Sequence, residues 1–350
     1  MRDDTGKISG ILVFELNWLG DIIFSFPLLR VLSKSFPEAR ITCAVVKRYA
    51  ELLERNPWVH SVVVVPERMG ILSLPRIVGF VRRIRKENYD MCFFLKPSRT
   101  KGMMAAAAGI PVRIGHSGKK ASLTMSVEVP SGTAHRADQI LALAGALGVE
   151  KADGTYEYFL SPGDRSEADR ILTRAGSAGN LRRVALNPGG NWAAKRWPEE
   201  RFVELGSMIL DAFNDVEIVV TGSPADRCLA NSVAGRIGTE RCFSAAGKTG
   251  MNSLAAVFAG CVLAVSADSG PLHLASAVGV PTIGIFGPTS PEITGQRGRG
   301  MNVVIRKPVD CHVPCYVETC DKENVCMKAI EARDVFKAAA KILSGENKSK

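Results

Sequence analysis

Short apolar runs alternate with segments of helical periodicity along almost the whole of this 350-residue chain. In the first half, Ile11–Leu16, Ile41–Val46, Ser61–Val65, Met91–Leu95 and Val112–Gly115 read as strands. Ile22–Phe36 carries apolar residues at helical spacing, Ala50–Arg55 reads as a short helix, and His135–Leu147 as a helix closed by Gly148. The second half repeats the rhythm, with strands at Val184–Asn187, Glu217–Thr221, Val262–Ser266 and Thr282–Phe286. Its helices are expected at Pro198–Phe213, Asp226–Ile237, Ser253–Ala259 and Leu272–Val278. Apolar strands alternating with helices belong to parallel sheets covered on both faces. Between the two series, Ser161–Asn180 gathers Pro, Gly, Ser and charge around a helical segment, Arg165–Ala175, and marks a junction. The expected organisation is α/β: two doubly wound Rossmann-like domains over residues 1–165 and 180–330, then a C-terminal helix and polar tail over 331–350. Ligands of such sheets sit outside the carboxyl ends of the strands, and a two-domain version is expected to hold its active site in a cleft between domains.

Length alone favours two domains. No apolar run reaches membrane-spanning length; Leu254–Val265, the longest candidate, is too short and holds a glycine. The start, Met1-Arg2-Asp3-Asp4, lacks the regions of a signal peptide, so a cytoplasmic location is expected. The net charge of +10, from 45 Lys+Arg against 35 Asp+Glu, calls for an anionic partner: nucleic acid, a membrane surface or a phosphorylated substrate. No helix-turn-helix, RNA-recognition or zinc-finger signature accompanies it, so nucleic acid is not expected.

Four strand ends carry the residues that could do chemistry. At the first, Asn17-Trp18-Leu19-Gly20-Asp21, Gly20 permits a tight turn and Asp21 begins a helix, as a plain N-cap or as an ionised carboxylate aimed into the crevice. The stretch lacks the Gly-x-Gly-x-x-Gly dinucleotide fingerprint, which weakens a nicotinamide reading. After the strand ending at Asn187 comes Gly189-Gly190-Asn191-Trp192 and then Lys195-Arg196-Trp197-Pro198. The glycines allow close backbone approach and Lys195 can neutralise a phosphate, although this is not a Walker A loop. Gly222-Ser223 and Lys248-Thr249 could line a nucleotide and are also ordinary turn sequence. The fourth strand runs into Asp268-Ser269-Gly270-Pro271-Leu272-His273, where cap-competent residues, Gly and Pro precede a helix. Backbone N–H groups at the positive end of that helix make either a plain cap or an anion site.

Two further clusters stand out. Leu74–Lys86 is a basic amphipathic segment with Arg76, Arg82, Arg83, Arg85 and Lys86 around Ile77, Val81 and Ile84, and Lys96, Arg99 and Lys101 add to the local charge. It reads as a domain helix with a solvated basic side or as a face for anionic lipid. Cys311, Cys315, Cys320 and Cys326, with His312 adjacent, lack paired Cys-x-x-Cys knuckles and leave open metal, labile disulfide or packing without a bond. Cys43, Cys92, Cys228, Cys242 and Cys261 read as reduced thiols in or near the core.

Together, Leu16–Asp21, Asn187–Pro198 and Asp268–His273, followed by Phe286-Gly287-Pro288-Thr289, resemble the lipopolysaccharide heptosyltransferases of glycosyltransferase family 9. The likeness runs from Ile11 to about Ile330 and extends to Cys311, Cys315 and Cys326-Met327. It implies a GT-B architecture, acceptor on the N-terminal domain and sugar nucleotide on the C-terminal one. It implies transfer of heptose from ADP-heptose, with inversion, to a lipid A–Kdo-type acceptor, a lipid-anchored anionic core oligosaccharide. By the same resemblance Asp21 is the general base and Lys195 steadies the diphosphate. Asp268, Ser269, Gly270, Pro271 and His273 would cradle the donor with Gly189, Gly190, Asn191, Gly222, Ser223, Lys248 and Thr249. Asn17, Trp18, Gly20, Lys96 and Arg99 would meet the acceptor, on a protein resting peripherally on the inner membrane. No metal or other cofactor is expected, the ADP-sugar being a substrate. Asn17-Trp18 occupies a turn where members of that family often carry small hydroxyl residues.

Overall fold

The computed structural model describes residues 8–66, 74–117, 123–127, 134–149, 152–177, 179–315, 317 and 320–346. The start at Met1 and the last residues of the polar tail lie outside them. The chain divides into two compact units, Met1–Gly154 and Thr155–Lys350.

Unit 1 runs β1 (Gly10–Phe14), α1 (Leu19–Ile23), α2 (Phe26–Ser35), β2 (Arg40–Val45), α3 (Glu51–Glu54), β3 (Ser61–Val64), α4 (Leu74–Lys86), β4 (Met91–Phe94), α5 (Arg99–Ala107), β5 (Val112–His116), β6 (Met125–Val127) and α6 (Arg136–Leu141). The six strands pair in parallel in the order β3-β2-β1-β4-β5-β6. The chain therefore winds outward from β1 one way and from β4 the other, so the switch point lies between those two strands. Both are buried throughout, and the Phe14 and Phe94 rings stack with centroids 5.0 Å apart.

The helical pattern over Ile22–Phe36 resolves into two helices that break at Phe24-Ser25. The Ser25 hydroxyl lies 2.7 Å from the Ile22 carbonyl and 3.0 Å from the Glu15 carboxylate, and Pro27 lies in the first turn of the second helix, lacking an N–H to continue the first. Over His135–Leu147, only Arg136–Leu141 is α-helical; Ala142–Leu147 tightens into a 3-10 turn that ends at Gly148, with φ 77°.

Unit 2 runs α7 (Pro162–Ala175), β7 (Arg182–Asn187), α8 (Glu199–Ala212), β8 (Val216–Val220), α9 (Arg227–Ile237), β9 (Cys242–Ser244), α10 (Met251–Ala259), β10 (Leu263–Ala267), α11 (Gly270–Ala277), β11 (Thr282–Ile285), α12 (Pro291–Thr294), β12 (Asn302–Ile305), α13 (Val325–Lys328) and α14 (Ala332–Leu343). Its parallel order, β12-β11-β10-β7-β8-β9, repeats the first sheet's winding and puts the switch point between β7 and β10. Both halves of the expected GT-B fold are thus doubly wound α/β sheets.

The division at Gly154 falls before the polar stretch Ser161–Asn180. Helix α7 is no linker: it packs on α10, and a reciprocal Ser161–Asp164 capping box starts it three residues earlier than its apolar pattern does. The segment from residue 331 is likewise not an appendage. Helix α14 lies on α8 and gives Val335, Ala339 and Leu343 to the core of the second sheet. Among the described residues, no helix is long and apolar enough to cross a membrane.

Unit 1 also buries an acid. Glu15 directly follows β1 and is 1% exposed; its carboxyl lies beside the Ser25 hydroxyl, and the Lys101 ammonium donates to its backbone carbonyl at 2.8 Å. Its Oε2 has no hydrogen-bond partner. Burial pushes its carboxyl from 4.5 up to about 7, against the opposing pull of the Ser25 hydrogen bond, the Lys101 charge and the Cys43 thiol. Folding therefore favours the protonated acid. Below pH 4.5 the group is protonated whether the chain is folded or not, and it costs nothing. As pH rises from there towards 7 the unfolded chain ionises first, and above 7 the folded state is penalised by about 3 kcal/mol. Glu15→Gln should accordingly raise the thermal midpoint at pH 8, with the gain shrinking to nothing near pH 4. Parallel melting series of the two proteins check this, and a gain independent of pH would refute it.

Candidate active site

Of the residues singled out in unit 2, Gly189–Lys195 and Asp268–His273 follow the two strands that flank its switch point, β7 and β10, while Gly222, Ser223, Lys248 and Thr249 follow β8 and β9. Strand β10 ends in Asp268, which is 6% exposed and surrounded by donors. His273 Nε2 lies 3.3 Å from Oδ1, the Lys195 ammonium 3.2 Å from Oδ2, and the Thr294 hydroxyl donates to Oδ2 at 3.2 Å. Burial by itself would raise this carboxyl; the His273 hydrogen bond and the Lys195 charge outweigh it and hold the group well below the usual range. Asp268 is therefore a fixed negative charge. Its carboxylate anchors the Lys195 ammonium directly before the start of α11.

Lys195 ends a short 3-10 turn, Ala193–Lys195, with its ammonium 5.2 Å from the centre of the Trp192 ring and its side chain 25% exposed. It is held in place yet still open to solvent. Helix α11 begins at Gly270 with Pro271 in its first turn, and Ser269 is its N-cap in extended conformation without a side-chain cap bond. The Ser269 hydroxyl instead meets Ser266 at 3.0 Å, so the first N–H groups of the helix are not capped by that side chain. His273 is buried, and its Nδ1 lies 3.3 Å from the hydroxyl of Tyr156, which also accepts from the Arg297 N–H at 2.8 Å. Tyr156 carries no motif in the sequence, and its part in this network became visible only with the fold.

Several neighbours have structural duties instead. A side chain at Gly189 would land 2.4 Å from the Asp226 carboxyl, so that glycine makes room for Asp226 rather than for a ligand. Asp226 in turn caps Ser223, whose hydroxyl it accepts at 2.5 Å. Gly190 has open space beside it, and Arg196 clasps its carbonyl at 2.7 Å. Trp197 is 2% exposed and donates its indole N–H to the Ile330 carbonyl at 2.9 Å; it is core. Lys248 donates to the Ser244 carbonyl at 3.0 Å, while Asn191 and Gly222 lie on the loops after β7 and β8 and Thr249 on the loop after β9.

The Cys311–Cys326 cluster lines a small cavity with His312 and Ala194. All nine cysteines are free thiols, and among the described residues no three His, Cys, Asp or Glu side chains are placed to hold a metal. The segment packs on the next loop of the site: Cys315 N–H donates to the Pro288 carbonyl at 2.7 Å, and a side chain on Gly287 would meet Met327 Sδ at 2.4 Å. Of the scattered cysteines, Cys43, Cys92, Cys242 and Cys261 are buried; Cys228, expected at or near the core, is exposed on α9.

In unit 1 the corresponding residues also flank the switch point. Helix α1 starts at Leu19 with Trp18 as N-cap, so Asp21 lies in its first turn, half-buried, and is not the capping residue. The Trp18 ring is 49% exposed; the Arg48 guanidinium lies 6.0 Å from its centre and donates to the Asn17 carbonyl at 3.5 Å. Gly20 is half-buried beside Asp21, and Lys96 and Arg99 are exposed just beyond β4. Lys101 does not add to that surface charge, because it turns inward to the Glu15 carbonyl.

Residues 77–326 match glycosyltransferase family 9 (heptosyltransferase). The chain is 28% identical over 295 residues to lipopolysaccharide heptosyltransferase 2 of Escherichia coli (strain K12), covering 81% of this chain and 84% of that one. It also resembles the solved structure of E. coli ADP-heptose LPS heptosyltransferase II, with a TM-score of 0.81 at 24% identity over 96% of this chain and 99% of that one. An E. coli heptosyltransferase solved with ADP-2-deoxy-2-fluoro heptose has a TM-score of 0.69 at 20% identity, over 95% of this chain and 99% of that one. At these identities the solved structures speak for the fold, whereas the family match covers well over half of the chain. The chain belongs to glycosyltransferase family 9, the heptosyltransferases, and is a glycosyltransferase.

Proposed function

We propose that the protein transfers heptose from ADP-heptose to the inner core of a lipopolysaccharide, with inversion at the anomeric carbon. The observation that carries this reading is the Asp268-centred network, which holds a partly exposed lysine beside the N-terminus of α11. The name of the relative at 28% identity points to lipopolysaccharide, and the ADP-heptose analogue bound to the E. coli structure points to the donor.

In this reading the Asp21 carboxylate takes the proton of an acceptor hydroxyl as its oxygen attacks the anomeric carbon. The new carbon–oxygen bond forms on one face while the bond to the diphosphate breaks on the other, and ADP leaves with the electron pair. Negative charge grows on the leaving diphosphate, where the Lys195 ammonium and the backbone N–H groups at the start of α11 stabilise it. No step calls for a further cofactor. Asn17, Trp18, Gly20, Lys96 and Arg99 would order the acceptor, whose lipid anchor would keep the enzyme at the cytoplasmic face of the inner membrane.

Asp21→Asn should lose turnover by a factor of about 100 or more while retaining ADP binding, because the substitution removes the base and leaves unit 2 intact. Lys195→Ala should weaken ADP binding and slow turnover together. Coupled ADP-release kinetics and calorimetry with ADP separate these effects; unchanged turnover in Asp21→Asn would reject the assigned base. Incubation with ADP-heptose and with UDP-hexoses tests the donor, and consumption of UDP-sugars alone would exclude ADP-heptose.

A further inference from the structure

The break between α1 and α2 holds more oxygen contacts than one hydroxyl can satisfy. Ser25 is fully buried, and its Oγ lies 2.7 Å from the Ile22 carbonyl and 3.0 Å from Glu15 Oε1. A serine hydroxyl carries a single proton, so it donates to one of these oxygens and not to both. The two contacts become two hydrogen bonds only when Glu15 supplies the second proton: its carboxyl then donates to Ser25 Oγ, and Ser25 donates to Ile22. With Glu15 ionised, one proton is left for two acceptors, and one contact turns into a repulsion between lone pairs.

What these bonds hold is the seat of Asp21. Helix α1 has only five residues, with Asp21 at its centre and no side-chain cap bond from Trp18. Ile22 donates its N–H to the Trp18 carbonyl at 3.0 Å and accepts the Ser25 N–H at 3.0 Å, so it ties the start of α1 to the break. A single turn of helix has little cooperativity of its own and takes its position from such ties. The Glu15 carboxyl is faced by Ser25 at the break, the Cys43 thiol from β2 and the Lys101 charge from α5. Burial outweighs all three and brings the acid to about 7, within the working range of an enzyme. His135, the N-cap of α6, also meets the break, its ring edge-on to Phe24 with centroids 5.3 Å apart. We propose that Glu15 is a positioning residue for the Asp21 turn: protonated, it donates through Ser25 to the Ile22 carbonyl and seats α1; ionised, it releases that seat. The consequence for turnover rests on Asp21 acting as the base, whereas the effect on the turn does not.

Fluorine NMR of the fluorotryptophan-labelled protein reads the turn directly, with the Trp18 resonance assigned by its loss in Trp18→Phe. That resonance should shift as pH rises from about 5.5 to about 8.5, with a midpoint near 7. Glu15→Gln, whose amide donates to Ser25 at every pH, should hold it at the low-pH position. Ser25→Ala keeps the acid but cuts its link to Ile22, and should hold it near the high-pH position. Over the same range kcat for ADP release should fall by about fivefold, while the KM for the donor, bound on unit 2, stays within about twofold. In Glu15→Gln the fall in kcat should vanish. Retained ADP binding certifies that each variant is folded. A Trp18 resonance that does not move, or a step that survives in Glu15→Gln and so belongs to His135, would overturn the proposal. A step that survives in Ser25→Ala would do the same, because the acid would then act through its field and not through the serine. Should Asp21→Asn keep full turnover, the assigned base falls while the NMR result stands; a resonance without a step sinks the positioning role even where Asp21→Asn is inactive.

Discussion

The polar network at the carboxyl end of β10 depends on a single buried carboxylate. Asp268 would be costly in the interior on its own, and the neighbours that make it tolerable are the groups a sugar nucleotide would need. The imidazole and the ammonium are each oriented by it, and the Tyr156 hydroxyl extends the network to the first residues of the unit. Fixing Lys195 in advance removes the entropy a free lysine side chain would lose on meeting a diphosphate. Because the hub sits where β10 gives way to α11, the same turn that aims the helix N–H groups also aims the cation.

Unit 1 solves the analogous problem with a different charge state. Its switch-point strand also ends in an acid, Glu15, but the nearest cation gives its hydrogen bond to the backbone carbonyl and only its field to the carboxyl. The result is an acid that holds its proton towards neutrality beneath the turn carrying Asp21. Each unit thus places a buried carboxyl directly after a strand that flanks its switch point, Glu15 after β1 and Asp268 after β10; the His273 hydrogen bond and the Lys195 charge keep Asp268 ionised, whereas burial holds the proton on Glu15.

The strand–helix rhythm made most of the architecture legible. Strands β1 to β5 and β7, β8, β10 and β11 follow from their apolar runs, whereas β6, β9 and β12 are three or four residues at or near sheet edges and carry too little pattern to read. The Ser161–Asn180 texture misled because a helix with a capping box, left-handed glycine stop and exposed face has the composition of a linker. Asp268, Ser269 and His273 announced themselves by the turn chemistry between strand and helix. Tyr156 and Glu15 could not, since what distinguishes them is burial beside partners far away in sequence or hidden under a turn. Gly189 was legible as special, but sequence cannot say whether a glycine admits a ligand or a neighbouring aspartate.

The contact of Gly287 with Met327 reaches beyond the site itself. The Phe286–Thr289 turn and the Cys326-Met327 step lie forty residues apart, yet a Cβ at 287 would meet the Met327 thioether at 2.4 Å and force it to shift. The two positions form a single unit of inheritance. Where 287 gains a side chain, the residue at 327 has to turn away or shorten, so the two should covary across relatives more tightly than either does with its chain neighbours.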